Sequence, residues 1–258
     1  MKIFKYGEDS QQYCQLYRPD NTQMVPVLIV IHGGYWKDNH SLDSYATKRI
    51  VEYFADKNIA VWNIEYRRMN AFGDNHSAPW PTSLLDVAMA VDYLKTIERT
   101  EYLDLENITI VGHSAGGHLA TWCASRKNIN KESPLYHNDP LKIKHAISIS
   151  GVVDLRRSED LGQPEQVTKL LSGNNFQIAS RLRDSNPLEL LDSKVNYHFL
   201  HGTEDEEVSI NQLSSIEQNS NILIDRLKGK DHFNFFPGFT SDLRCWNKIT
   251  DLIQSTLT

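Results

Sequence analysis

Gly112-His113-Ser114-Ala115-Gly116 carries the clearest chemical signal in this 258-residue sequence. It follows the apolar run Ile108-Thr109-Ile110-Val111 and precedes a helix-like stretch over residues 117–124. A serine placed two residues from glycine on each side, between a strand and a helix, fits a sharp elbow that presents its hydroxyl as a nucleophile. Glycine at 112 and 116 removes the Cβ atoms that would strike the strand and helix where they approach. At the helix N-terminus, unpaired amides and the helix dipole favour the negative charge that develops during acyl transfer. The chemistry expected of Ser114 is therefore attack on a carbonyl carbon.

A second signal, His32-Gly33-Gly34-Tyr35-Trp36, follows the apolar run 25–31, which reads as a buried strand. Backbone N–H groups of this loop, with that of Ala115, are expected to form an oxyanion hole. The acid and the histidine of such a site follow in that order. Asp205 lies in His201-Gly202-Thr203-Glu204-Asp205, just past the strand-like 196–200, with Glu204 as its alternative. Glu206 and Glu207 read as a solvated cluster. His232, within Gly229-Lys230-Asp231-His232-Phe233-Asn234, is the expected base for Ser114, with Asp205 holding its imidazole in the productive tautomer.

Ten histidines are present. His40, His76 and His137 read as surface groups, and His145, His198 and His201 as structural ones. His113 and His118 belong to the elbow segment, and His32 is expected to hold its own loop by hydrogen bonds. There is no His-Glu-x-x-His helix or paired His/Cys spacing, so no metal is expected.

These residues must be positioned by a core of substantial size, and 40% hydrophobic content supplies one. A net charge of −6 and a pI near 5.9 leave no footprint for nucleic acid. The N-terminus lacks the apolar core of a signal peptide, and no run approaches the roughly 20 apolar residues of a membrane span. A cytoplasmic location is expected, and Cys14, Cys123 and Cys245 form no disulfide-rich pattern. Strands are expected at 25–31, 59–66, 107–111, 146–150, 196–200 and 222–227, with an edge strand in 11–17. Helices are expected at 44–56, 82–98, 117–124, 211–219 and 241–255. Their alternation predicts an α/β fold, a mostly parallel sheet with helices on both faces, in a single domain over 1–258. The polar segment 156–191 is expected to form a small lid.

On these marks the sequence resembles the α/β-hydrolase family, and within it the kynurenine formamidase (arylformamidase) group and its carboxylesterase relatives. The resemblance runs from about 25 to 234. It rests on the two glycine motifs, Glu65-Tyr66-Arg67-Arg68, Trp80-Pro81, Ser150-Gly151-Val152-Val153-Asp154-Leu155 and Asp231-His232-Phe233. The Tyr-Trp ending of the His-Gly-Gly loop is more similar to the formamidases than to lipase relatives with a third glycine. The resemblance implies Ser114, Asp205 and His232 as a catalytic triad, amides of Gly33, Gly34 or Tyr35 with that of Ala115 as the oxyanion hole, no cofactor, and a small-molecule substrate. Tyr35, Trp36, Phe72, Trp80, Phe233, Phe235 and Phe236 are either an aryl pocket or core packing; Trp36, Phe72, Trp80 and Phe233 are the pocket candidates. Arg67 and Arg68 are candidates for a substrate carboxylate, unless tied to Glu65 or Asp86. The expected activity is hydrolysis of an aryl formamide or short-acyl ester. The alternatives are a general carboxylesterase, a peptidase, and a non-catalytic binder on the same scaffold.

Overall fold

The computed structural model describes residues 1–70 and 80–257; Phe72 and His76 lie outside them. The strands are β1 (Lys2–Lys5), β2 (Tyr13–Tyr17), β3 (Val25–Ile31), β4 (Ala60–Ile64), β5 (Leu103–His113), β6 (His145–Ile149), β7 (Asn196–Gly202) and β8 (Ile222–Leu227). They form one sheet in the order β1-β2-β4-β3-β5-β6-β7-β8, parallel from β4 to β8, with β1 and β2 antiparallel at one edge. β3 is apolar throughout because it is covered on both faces, as interior parallel strands are. The register between β3 and β5 shifts at Pro26/Val27, where proline has no N–H to give the ladder.

The helices are α1 (Lys48–Phe54), α2 (Thr82–Asp92), α3 (Leu94–Ile97), α4 (Ala115–Ser125), α5 (Glu165–Leu171), α6 (Asn175–Ser185) and α7 (Arg244–Thr256). Leu84, Val87, Ala88 and Val91 of α2 enter one core, whereas Ile50, Val51 and Phe54 of α1 join Ile249 and Ile253 of α7 in the core on the opposite face. All eleven residues of α4 are buried, as befits a helix that starts at the sheet's centre.

Two expectations change. Only a short 3-10 turn, Ile210–Leu213, forms where a helix was expected over 211–219. Serine and asparagine there compete for backbone bonds, and Gln212 spends its amide on Asp154 N–H and the Arg157 carbonyl. The expected helix at 44–56 starts at Lys48, because residues 41–45 are folded into turns closed by the Ser41 carbonyl. Segment 156–191 contains α5 and α6, the latter started by a capping box between Asn174 and Gln177. This segment is stitched to its surroundings by Gly162 N–H on the Glu207 carbonyl and Trp80 N–H on the Leu170 carbonyl.

Candidate active site

Ser114 follows the last residue of β5 and precedes α4, at φ 58° and ψ −124°. This left-handed backbone is disfavoured for a residue with a side chain, and its neighbours hold it there. Ser114 N–H bonds the Ile149 carbonyl, while its own carbonyl takes the His118 N–H. A Cβ at position 112 would lie 2.1 Å from the Gly116 carbonyl oxygen, and one at 116 only 2.3 Å from the Ile31 carbonyl oxygen. Both flanking glycines are thus required by backbone approach.

Asp205 and His232 come from the loops after β7 and β8. His232 Nδ1 is 2.8 Å from Asp205 Oδ2, and the Asp205 side chain is fully buried. Its other oxygen accepts the Val208 and Glu207 amides at 2.8 and 3.1 Å. Burial raises the Asp205 carboxyl, but His232 and the Val208 N–H outweigh it and hold the group below its ordinary value. Glu204, the alternative acid, is exposed, and it is Asp205 that meets His232. Gly202 allows the two loops to meet, since a Cβ there would lie 2.1 Å from the Lys230 carbonyl oxygen.

Ser114 and His232 line one cavity of about 190 Å³, together with Gly34, Tyr35 and Phe233 of the expected set. Lys37, Asn39, His40, Tyr45, Gln163 and Glu207 complete its described wall. His40 therefore belongs to the site and not to the outer surface. A wider groove of about 870 Å³ shares His232, Phe233 and Glu207 with this cavity and is also bordered by Glu204, Asp231 and Phe239, whose ring stacks on Phe233.

The loop after β3 turns through three left-handed residues, Gly34 (φ 106°), Tyr35 (φ 52°) and Trp36 (φ 56°). Side chains pin it. His32 Nε2 meets Glu65 at 2.9 Å and its ring stacks on Tyr66. The Tyr35 hydroxyl donates to the Glu207 carbonyl at 2.6 Å, bridging the loop to the acid's own loop. Trp36 corrects the expected aryl pocket: it is fully buried and donates its indole N–H to His118 Nδ1 at 3.2 Å. Trp80 is likewise turned away from the described cavity wall, donating to Ser185 Oγ beneath the Arg181 guanidinium. Phe235 and Phe236 are core residues. Phe72 lies outside the described residues. Arg67 forms a two-pronged pair with Asp86 and Arg68 pairs with Glu65, so Lys37 is the cationic side chain on the described wall. Among the described residues, no group of three His, Cys, Asp or Glu is arranged to hold a metal ion, and no helix is long and apolar enough to cross a membrane.

The mostly parallel eight-stranded sheet, with the elbow at the end of its central strand β5, is an α/β-hydrolase fold. An esterase from Thermogutta terrifontis, solved with propionate bound, superposes with a TM-score of 0.76 at 18% identity, over 99% of this chain and 93% of that one. The chain belongs to the family described as BD-FAE, whose profile matches residues 14–219. It is 30% identical over 160 residues to a kynurenine formamidase of Meyerozyma guilliermondii, covering 60% of this chain and 53% of that protein. It is also 26% identical over 204 residues to a probable carboxylic ester hydrolase, LipM, of Mycobacterium tuberculosis, covering 75% and 44%. The chain thus spans about half the length of these curated relatives.

Proposed function

We propose that this protein is a single-domain serine hydrolase that cleaves short-acyl esters or small aryl formamides, using Ser114, His232 and Asp205. The observation that carries the reading is the 2.8 Å bond from His232 Nδ1 to buried Asp205, behind a cavity that His232 shares with Ser114. With Nδ1–H held by the carboxylate, the Nε2 lone pair is left for the serine hydroxyl. Ser114 Oγ attacks the carbonyl carbon, its proton passes to His232, and the carbonyl electrons move onto oxygen. The amides of Ala115 and of Gly33, Gly34 or Tyr35 receive that charge. Collapse breaks the C–O or C–N bond, and His232 returns the proton to the departing atom. Water, deprotonated by His232, then releases the acid and restores Ser114. These steps use only groups of the chain and water.

The size of the cavity supports a short acyl group, since about 190 Å³ is below the roughly 300–1,000 Å³ that holds drug-sized ligands. Tyr35, Tyr45 and Phe233 supply aromatic walls, while Lys37 and Glu207 supply one charge of each sign. The formamidase and ester hydrolase among the relatives, and the propionate-bound neighbour, agree with this class. Three buried free cysteines suit a reducing cytoplasm. The test is catalytic efficiency on formyl, acetyl, butyryl and octanoyl esters of one aryl alcohol, beside an aryl formamide. The expected result is a maximum among the three short chains with measurable formamide cleavage. A maximum at octanoyl contradicts the short-acyl reading, and no formamide cleavage removes the formamidase part.

A further inference from the structure

We propose that Tyr45 is a positioning residue that fixes the His232 loop through His113, a role that rests on the serine-hydrolase reading above. Tyr45 reaches the cavity from the turn ahead of α1, where its N–H bonds the Ser41 carbonyl at 3.0 Å. Its hydroxyl lies 2.9 Å from His113 Nδ1, and His113 Nε2 lies 2.8 Å from the His232 carbonyl oxygen. The direction of each bond follows from chemistry. A carbonyl only accepts, so His113 carries its proton on Nε2. Burial, reinforced by neighbouring His232, holds His113 well below the ordinary histidine value, so the ring is neutral and Nδ1 is a lone pair. Tyr45 therefore donates. An ordered chain of protons runs from Tyr45, whose hydroxyl oxygen also meets the Ser114 side chain, through the residue before Ser114, to the backbone of the histidine that Asp205 orients.

Removing the phenol proton leaves His113 Nδ1 as a buried acceptor without that donor, so the ring is held by the His232 carbonyl alone and loses one of the two bonds that fix its position. The surrounding rings offer little replacement: His113 packs against Phe233, Phe235 and Phe236. A drift of His232 by about 1 Å is enough to slow proton transfer by up to about a hundredfold.

The test uses Tyr45→Phe, which keeps the ring, and two independent readouts. In protein carrying 15N-histidine, the His113 Nδ1 resonance is expected to move toward that of an unbonded ring nitrogen. Fluorophosphonate labelling of Ser114 and kcat on a short aryl ester are expected to fall by about ten- to a hundredfold, with KM little changed. A double-mutant cycle with His113→Gln locates the effect: the double variant should be no slower than His113→Gln alone. Additive losses, an unmoved resonance, or an unchanged labelling rate each overturn the proposal. If His113→Gln does not fold, the resonance in Tyr45→Phe decides. A wild-type protein that is never labelled refutes the serine-hydrolase reading and this role with it. A labelled wild type with an equally fast Tyr45→Phe refutes the Tyr45 role alone.

Discussion

His118 makes the stability of this fold depend on pH in a way that can be worked out from its surroundings. It is fully buried in the first turn of α4. Its Nε2–H donates to the Ser185 carbonyl at 2.9 Å, and its Nδ1 accepts the Trp36 indole N–H. Burial pulls its pKa from 6.5 down to about 4, against a smaller opposing effect of the Ser185 carbonyl. The unfolded chain therefore takes up this proton before the folded one does. The stabilisation from neutral His118 is complete above about pH 6.5 and erodes as pH falls toward 4. At about 1.4 kcal/mol for each pH unit, about 2 kcal/mol has gone at pH 5. His118→Gln removes the titration while keeping a donor and an acceptor. Urea unfolding of both proteins at pH 7.5 and pH 5.0 measures the difference. Other buried histidines, His113 and His201, shift in the same direction but are common to both proteins, so they cancel. Wild type should lose about 2 kcal/mol more than the variant between the two pH values. Equal losses would refute the claim that His118 is held neutral by burial.

Two further outcomes follow from the elbow and the acid. Gly116→Ala should destabilise the fold by about 1–3 kcal/mol or more, read as a lower urea midpoint, because the new Cβ meets the Ile31 and His32 carbonyl oxygens at 2.3 and 2.6 Å. Asp205→Asn should keep the fold by circular dichroism but lower kcat by roughly 10⁴-fold, as loss of the charge at such a position does. A crippled Glu204→Gln beside a near-normal Asp205→Asn would transfer the acid's role to Glu204.

Much of the site was legible because its signals are local. Glycines at 112 and 116 mark a steric demand that any strand-to-helix elbow imposes, and continuous apolar runs mark strands covered on both faces. The sides of the cavity were not legible. Tyr35 and Glu207 meet across 172 positions, Lys37, His40 and Tyr45 come from the irregular connection between β3 and α1, and Gln163 from far along the chain, so no spacing rule joins them. Trp36 and Trp80 were misread as pocket residues because sequence places an aromatic ring in a loop without saying which side it faces. Their indole N–H groups, satisfied by His118 and Ser185, settle that only in three dimensions. In 156–191 the apolar stripe of α6 is weak, and only the Asn174 and Gln177 pair announces the helix.

The central claim is that Ser114 is the nucleophile. The direct measurement is intact-mass and peptide mapping after treatment with a fluorophosphonate, on wild type and Ser114→Ala. The account predicts one adduct on Ser114 in wild type, none in the variant, and a fall in kcat of about 10⁶-fold, the scale seen when such a serine is lost. An adduct on another residue in the variant, or turnover that survives Ser114→Ala, would contradict it.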